Sequence, residues 1–468
     1  MLTLPGPIGV VFPVVLAAFL SVVLIAFSLR RSILLQVFPS LSWLVFIQLP
    51  FIIVSSGFLP SVAKMQAYGI AIIALCIALG DLIGVIRRQR SANSCVYGEF
   101  RGLHYVLGLV FLVLVIYLPL YHVLHAEALP IVDAIAGGRS GITAVARENF
   151  SKNLDISSFY KISFNWVVTV FGPIVLVLTA LCIKSIKLKY IFISVLIVWL
   201  IIYSTLSTAH QPILTFFIFS LVCMSIFWTE YWLRLARWGI ISAFVLFIGF
   251  GIYRSYEIVS LQNSTGAESE SYVALLSRLP DGDDLRGFSI GDATRLMDSN
   301  SEPFYLRIPR YLVYRTFLTP VEVSYHWYAY FPEVNNAWRS KAELLGIRPS
   351  GLAHAANRVG VWAYVQRFPE NYLASVSAYA SIDADAYSFG GIPYVLGVGI
   401  ILLCMRILAA FVPNTIFGNA VAALLIAQIG LFCMSASLQA ILVAQGAGII
   451  ALLAIVLITS SYWRYSRV

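Results

Sequence analysis

Residues 8–29, IGVVFPVVLAAFLSVVLIAFSL, form an apolar stretch without a single charged side chain. A helix of that length rises about 33 Å, which is enough to cross the hydrocarbon core of a bilayer. Arg30 and Arg31 follow the stretch, and no basic residue precedes it. Because a cleavable signal peptide carries its positive charges ahead of the apolar segment, the pattern predicts a first membrane-spanning helix.

Similar apolar segments recur along most of the 468-residue chain, in which 60% of the residues are hydrophobic and 11% are charged. A soluble domain carries roughly 25% charged residues, so the composition excludes a soluble globular protein. The predicted spanning helices are residues 8–29, 32–53, 66–86, 103–124, 163–183, 190–206, 212–228, 238–253, 390–411, 416–436 and 439–460. The sequence therefore predicts an all-α polytopic membrane protein with about 11 transmembrane helices.

The distribution of charge indicates membrane topology and argues against a nucleic-acid partner. The formal net charge is +9, yet residues 254–386 hold 12 basic and 15 acidic side chains, so the positive excess belongs to the rest of the chain. Most of those basic residues fall in short loops on one predicted side of the membrane. The positive-inside rule makes that side cytoplasmic, which predicts an outer N-terminus and an inner C-terminus.

Three regions follow from this layout. Residues 1–253 are predicted to form an N-terminal transmembrane region of about 8 helices, with an outer loop at residues 125–162. Residues 254–386 are predicted to form one large outer loop domain, which is long enough to bury a core of its own. Residues 387–468 are predicted to form a C-terminal transmembrane region of about 3 helices.

The strongest local feature is the segment FYLRIPRYLVYRTFLTP at Phe304–Pro320. Its three arginines, Arg307, Arg310 and Arg315, lie among apolar and aromatic residues. A guanidinium stays protonated in a poorly hydrated place and binds phosphate through two parallel hydrogen bonds, so the segment is a candidate phosphate site at the membrane surface. The alternative is that these arginines only snorkel to lipid headgroups.

The outer loop at residues 125–162 offers two more arginines, Arg139 and Arg147. They are eight positions apart, just over two helical turns, so on a helix both would face the same side. They are candidates for contact with the substrate, and the alternative is a solvated surface helix.

Two carboxylates and two ring side chains complete the candidate residues. Asp383 and Asp385 lie just before a predicted spanning helix. They are candidates for a general base, for orienting a sugar hydroxyl, or for capping that helix. Tyr325 is a candidate for stacking on a sugar ring, and His326 is a candidate for either substrate contact or a structural hydrogen bond.

Motifs that are missing exclude several classes. The sequence has no P-loop, no GxGxxG after a strand and no HExxH, and its six cysteines form no CxxC pair. The sequence therefore predicts that the protein has no metal site and no cofactor. The predicted spans also lack a series of acidic residues near the membrane midplane, which disfavours an ion-driven transporter.

The Arg315–Pro320 block RTFLTP and the segment DAYSFGGIPYVLG at residues 385–397, together with one large outer loop late in the chain, resemble the Wzy-type O-antigen polymerases. The resemblance implies a GT-C-like glycosyltransferase in a bacterial inner membrane, with its active site facing the periplasm. Such an enzyme joins undecaprenyl-diphosphate-linked oligosaccharide repeat units without a metal. Arginines would bind the diphosphate and stabilise the charge that develops on it.

The resemblance implies that the arginines bind the diphosphate, whereas Asp383, Asp385, Tyr325 and His326 are candidates from their residue types and positions. Arg310, Arg315, Asp383 and Asp385 are the expected catalytic residues. The expected substrate-binding residues are Arg139, Arg147, Arg307, Tyr325 and His326. The expected partners are undecaprenyl-diphosphate-linked glycans, membrane lipids and a chain-length-regulating membrane protein. Two alternatives remain open. An O-antigen ligase would use the same donor. A lipid-linked oligosaccharide flippase would bind the same ligand without being an enzyme, but a flippase is expected to have short outer loops.

Overall fold

The structure is a computed structural model that describes residues 7–29, 34–91, 101–126, 129, 132, 158–205, 215, 218–220, 317–335, 337–344, 355–364 and 380–465. Within these ranges every regular element is helical and there is no strand. The predicted all-α class is therefore confirmed for the described part of the chain.

Fifteen α-helices are present in this part. They are α1 Pro7–Leu29, α2 Phe38–Trp43, α3 Leu49–Val54, α4 Pro60–Ser91, α5 Arg101–His125, α6 Ser158–Trp166, α7 Gly172–Cys182, α8 Ile186–Thr205, α9 Thr319–Ala329, α10 Lys341–Leu344, α11 Ala355–Tyr364, α12 Ile382–Tyr387, α13 Ile392–Phe411, α14 Ile416–Phe432 and α15 Ala447–Tyr465. Short 3-10 or π-helical turns join or extend several of them, at Leu34–Val37, Leu44–Gln48, Ser55–Gly57, Val167–Phe171, Tyr330–Val334 and Ala440–Ala444.

Among the described residues, seven helical segments are long and apolar enough to cross a membrane. They are Val10–Ser28, Leu35–Gly57, Pro60–Arg87, Tyr105–His125, Ile162–Cys182, Lys187–Ser204 and Ile392–Phe411. Two shorter apolar helices, Ile416–Phe432 and Ala447–Ser461, coincide with the last two predicted spans. The predicted spans 212–228 and 238–253 fall almost wholly outside the described residues. The chain is a multi-pass membrane protein, and the total of about 11 helices stays a prediction.

The chain divides into two compact units, each built from segments that are distant in sequence. The first unit comprises Met1–Ile86, Gln262–Ile407 and Ile429–Ala440, and the second comprises Arg87–Leu261, Leu408–Gln428 and Ile441–Val468. The three predicted regions, with boundaries at residues 253 and 386, stay a prediction.

The second unit is held by stacked aromatic rings and by side-chain N–H groups that donate to backbone carbonyls. On α5 and the turn before α7, the Phe111 and Phe171 rings stack with their centroids 5.2 Å apart. The indole N–H of Trp199 donates to the Val115 carbonyl at 2.9 Å. Gln428 Nε2 donates to the Gln445 carbonyl at 2.9 Å. These bonds join helices without placing a net charge in the apolar interior.

The first unit contains a buried ion pair between two of its spanning helices. Arg406 on α13 donates from Nε to Asp81 Oδ1 on α4 at 2.5 Å, and both residues have no exposed surface. The backbone N–H and hydroxyl of Ser40 donate to Asp81 Oδ2 at 3.0 and 2.6 Å. Arg406 Nη2 donates to the Gln36 carbonyl at 2.7 Å. Charged groups within a membrane protein need such pairing, because an isolated charge there is costly.

Two glycines on α4 allow this pair to form. A Cβ atom at Gly80 would lie 2.5 Å from the Cβ of Arg406, and one at Gly84 would lie 3.0 Å from Arg406 Nη2. The small residues therefore let α13 approach α4 closely enough for the arginine to reach Asp81.

We expect Arg406→Ala to lower the free energy of unfolding by about 3–5 kcal/mol, because the change leaves Asp81 buried without its cation. The double variant Asp81→Asn/Arg406→Gln should lose less, since it removes both charges together. Thermal unfolding of the purified protein in detergent micelles measures the effect. Arg87→Ala, which removes an exposed arginine from α4, the helix that carries Asp81, is the control and should cost at most about 1 kcal/mol. Equal losses for the two single variants would contradict the prediction.

Candidate functional site

The short helix α12 brings both predicted aspartates into the first unit. Ser381 takes the N-cap position with extended backbone angles, φ −63° and ψ 160°. Asp383 and Asp385 follow in the first turn, where the exposed backbone N–H groups of a helix favour carboxylates. Gly391 has a φ of +76°, in the left-handed region that favours glycine, and it turns the chain from α12 into α13. The DAYSFGG sequence is therefore a helix, a turn and the entry to a span.

Asp383 is bonded to hydroxyl groups. It has no exposed surface, its Oδ2 accepts a hydrogen bond from the Tyr328 hydroxyl at 3.1 Å, and its Oδ1 accepts one from the Ser381 hydroxyl. Burial raises the pKa of Asp383 to about 6, and the bonds from Ser381 and Tyr328 oppose that rise. No cation among the described residues contributes to this pKa. The carboxyl group can therefore change its protonation state close to neutral pH.

One face of α9 supplies the hydroxyl groups of this cluster. Ser324 and Tyr328 are four positions apart, so both point to the same side of the helix. Ser324 Oγ lies 2.6 Å from Ser381 Oγ and accepts a hydrogen bond from the Ser381 backbone N–H at 3.2 Å. The packing of α9 against α12 thus bonds Asp383 to the hydroxyl groups of Tyr328 and Ser381, and Ser381 links it to the hydroxyl group of Ser324.

A glycine on α4 leaves room for the Tyr328 hydroxyl. A Cβ atom at Gly69 would overlap the Tyr328 hydroxyl and would lie 3.4 Å from Asp383 Oδ2. Gln66, one turn earlier on α4, donates from Nε2 to the Val321 carbonyl at 2.9 Å and so joins α4 to α9. Gly69 is therefore part of the wall of this site, although glycine within a spanning helix is common and carries no sequence signal of its own.

Asp385 has a different environment, because it is paired with a cation. Arg339 Nη1 donates to Asp385 Oδ1 at 2.7 Å, and Arg339 Nε lies 3.4 Å from Glu343 Oε2. Arg358 Nη2 donates to the same Glu343 oxygen at 2.7 Å. Burial raises the pKa of Asp385, and the Arg339 guanidinium opposes the rise. Two guanidiniums and two carboxylates balance one another in this network.

The Arg339 network joins three segments of the first unit. The Arg339 backbone N–H donates to the Ser388 carbonyl at 2.8 Å, and its guanidinium lies over the Phe389 ring at 4.1 Å from the centroid. Through Glu343 and Arg358, the network extends from α12 to α10 and α11. Asp385 therefore holds α12 in place. Neither Arg339 nor Arg358 is among the arginines selected from the sequence, because isolated arginines in a long loop have no distinguishing pattern.

Tyr325 and His326 are buried on α9 and have contacts other than Asp383. The Tyr325 ring stacks on the Phe58 ring at a centroid distance of 4.2 Å, and its hydroxyl accepts a hydrogen bond from the Leu59 backbone N–H at 3.3 Å. His326 Nε2 lies 3.8 Å from Glu322 Oε1, one turn earlier on the helix. The structure instead bonds Asp383 to Tyr328, one of the aromatic residues of this segment, and links it through Ser381 to Ser324, which the sequence did not single out.

The five predicted phosphate-binding arginines lie outside the described residues. They are Arg139, Arg147, Arg307, Arg310 and Arg315. Their assignments stay predictions.

The RTFLTP block leads into α9. The Phe317 ring stacks on the Phe46 ring with the centroids 5.3 Å apart, and Pro320 lies in the first turn of α9. Proline suits that position because the first turn of a helix leaves its N–H groups unpaired.

Comparison with known proteins assigns no family: no family model, no curated protein and no solved structure matches the chain. Within the described ranges there is also no group of three or more His, Cys, Asp and Glu side chains that could hold a metal ion.

The raised pKa of Asp383 makes stability depend on pH with a defined sign. The folded protein, with a pKa of about 6 against an ordinary value of 3.8, binds the Asp383 proton more tightly than the unfolded chain. The free energy of unfolding therefore falls as pH rises through this window, by an amount on the order of 3 kcal/mol. Asp383→Asn should remove this component. Chemical unfolding in micelles between about pH 4 and about pH 7 measures it, and an unchanged slope in the variant would rule it out.

The close approach at Gly69 leads to a second prediction. Gly69→Ala should lower the free energy of unfolding by about 1–3 kcal/mol, because the added methyl group overlaps the Tyr328 hydroxyl. The double variant Gly69→Ala/Tyr328→Phe should recover part of that loss, since it removes the overlapping oxygen. Gly397→Ala is the matched control, because a Cβ at this α13 glycine meets nothing within 4 Å. Thermal unfolding of the four proteins decides the matter, and equal stability of the two alanine variants would contradict it.

Proposed function

We propose that the chain is a Wzy-type O-antigen polymerase, a GT-C-like glycosyltransferase that joins undecaprenyl-diphosphate-linked repeat units at the periplasmic face of a bacterial inner membrane. The observation that carries the proposal is the buried carboxyl group of Asp383. The protein is a multi-pass membrane protein, and Asp383 lies two residues before the DAYSFGG segment that resembles these polymerases. The Asp383 carboxyl group accepts hydrogen bonds from Tyr328 and Ser381.

The reaction needs a base near the acceptor. A sugar hydroxyl of the acceptor attacks the anomeric carbon of the donor, and its proton has to leave as the glycosidic bond forms. A carboxylate with a pKa of about 6 is mostly ionised at neutral pH and is still basic enough to take that proton. Asp383 is fully buried in the described state, so the acceptor reaches it after a local opening of the cluster.

The reaction also needs positive charge at the leaving diphosphate. Arg310 and Arg315 are proposed to bind it, with Arg307, Arg139 and Arg147 in support, because a guanidinium can bind phosphate through two parallel hydrogen bonds. In sequence, Arg310 and Arg315 lie a few residues before Thr319, the first residue of α9, which is the helix that carries Ser324 and Tyr328. Arg339 and Arg358 are less suited to this role, since Asp385 and Glu343 already balance their charge.

The alternatives differ in acceptor and in chemistry. An O-antigen ligase uses the same donor and also needs a base, so the Asp383 cluster is compatible with it. A lipid-linked oligosaccharide flippase forms no glycosidic bond and needs no catalytic base, so we take the cluster to favour a transferase. The partners follow from the proposed function: lipid-linked glycans, the surrounding lipids and a membrane protein that regulates chain length.

Deletion in the source bacterium separates these functions. A strain without the polymerase should make lipopolysaccharide with a core that carries one repeat unit, whereas loss of a ligase or a flippase should leave the core without O-antigen. Gel analysis of lipopolysaccharide reads out the difference. A deletion strain whose core carries no repeat unit, or that keeps the full ladder, would overturn the proposal.

Complementation of the same strain tests the residues. Arg310→Ala, Arg315→Ala and Asp383→Asn should each remove most of the polymer while the protein stays in the membrane at normal abundance. Arg315→Lys should restore only part, because lysine keeps the charge and loses the planar fork. Arg87→Ala, an exposed arginine beyond the proposed site, should give the full ladder. Full ladders from all three test variants would remove these residues from the site.

A further inference from the structure

The hydroxyl groups beside Asp383 form a continuous row. Asp383 Oδ1 is bonded to Ser381 Oγ, and Ser381 Oγ lies 2.6 Å from Ser324 Oγ. Ser324 Oγ in turn lies 2.7 Å from the Pro320 carbonyl oxygen, to which it can donate. Asp383, Ser381 and Ser324 are all buried. The row therefore runs from the carboxyl group to a backbone acceptor through two hydroxyl groups.

Each hydroxyl has one proton, so the row can be ordered in two directions. When Asp383 is ionised, Ser381 donates to the carboxylate and Ser324 donates to Ser381. When Asp383 is protonated, its own O–H donates to Ser381, Ser381 donates to Ser324, and Ser324 donates to the Pro320 carbonyl. The Ser381 backbone N–H donates to Ser324 Oγ in both cases. Each hydroxyl proton has an acceptor in either state, which avoids the cost of an unmade buried hydrogen bond.

We propose that Ser381 and Ser324 form a reversible hydroxyl chain that allows Asp383 to hold the proton taken from the acceptor sugar until the product leaves. This inference rests on the proposed glycosyl transfer. The acceptor O–H bond breaks and its oxygen bonds to the anomeric carbon, while the bond from that carbon to the diphosphate breaks and leaves its electron pair on the diphosphate. The proton stays on Asp383 and passes to water when the site empties.

Other titratable groups near Asp383 do not take over this role. The Tyr328 hydroxyl on α9 donates to Oδ2, and burial keeps the pKa of Tyr328 well above its ordinary value. The thiol of Cys433, after α14, is also close enough to interact with the Asp383 charge, and an ordinary thiol is neutral below about pH 8. The α4 helix brings Gly69, which has no ionisable side chain. Among the groups named here, Asp383 is therefore the one beside the Ser381–Ser324 hydroxyl groups that changes charge near neutral pH.

The two serines should shift the titration of Asp383 in opposite directions. Ser381→Ala removes both the donor to the ionised carboxylate and the acceptor of the protonated acid. Because a hydrogen bond to a charged group is the stronger of the two, the pKa of Asp383 should rise by about one pH unit. Ser324→Ala leaves that donor in place and removes the acceptor that Ser381 uses when Asp383 is protonated, which should lower this pKa. A merely structural role would lower stability or activity in both variants without opposite shifts.

The test is the pH profile of kcat for purified enzyme acting on lipid-linked repeat units. Its acid limb should move to higher pH in Ser381→Ala and to lower pH in Ser324→Ala. Ser381→Thr, which keeps the hydroxyl, should return the limb to the wild-type position. If either alanine variant does not fold, Ser381→Cys and Ser324→Cys, with weaker donors, should show smaller shifts in the same directions. Shifts of the same sign, or no shift, would overturn the proposal.

Infrared titration of the Asp383 carboxyl band, identified by its loss in Asp383→Asn, repeats the test without turnover. If the pKa read from this band shifts in opposite directions in the two serine variants, but the enzyme makes no polymer, the hydroxyl chain is upheld and the proposed function is overturned. If polymer synthesis is normal and the pKa read from the band is unchanged in both serine variants, the function is upheld and the hydroxyl chain is overturned.

Discussion

The cost of placing a charge in an apolar interior is the constraint on which the first unit depends. A buried carboxylate without a partner loses the free energy of its hydration and has no interaction that compensates for the loss, so it must be paired or hydrogen-bonded. Asp81 meets the constraint with Arg406, and Asp385 meets it with Arg339. Both pairs join elements that are distant in sequence. Their energetic role is to make the correct packing far better than a packing in which one charge is left alone.

Asp383 meets the same constraint in another way. Its partners are hydroxyl groups, which solvate the carboxylate without cancelling its charge. A guanidinium favours the ionised carboxylate and opposes the rise in pKa that burial causes, as Arg339 does at Asp385. Hydroxyl groups, in contrast, can donate to the carboxylate and can also accept a hydrogen bond from the protonated acid. Two aspartates separated by one residue on the same short helix thus have different chemistry. The difference between them comes from which neighbouring element each side chain faces.

Close helix contact is the second requirement, and glycine supplies it. Gly80 and Gly84 leave space for the Arg406 side chain, and Gly69 leaves space for the Tyr328 hydroxyl. All three lie on α4, so this one spanning helix lines both the buried ion pair and the candidate base. In a membrane interior, where packing replaces most of the hydrophobic driving force, the absence of a side chain is as important as its presence. The position of α4 therefore links the stability of the unit to the geometry of its site.

The sequence by itself determined the membrane class, most of the described spans, and the position of Asp383 and Asp385 before a spanning helix. These properties are local, because apolar length, loop charge and helix-start residues are encoded within a few turns of chain. Only the tertiary structure decided that Asp385 is paired with Arg339, and that Asp383 is surrounded by Tyr328, Ser324 and Gly69. Tyr328 and Ser324 come from α9, Gly69 comes from α4 and Arg339 lies just before α10, and all of these are far from α12 in sequence. Their identity depends on how helices pack, and the periodicity of a single segment carries no information about which distant side chain will fill the space beside it.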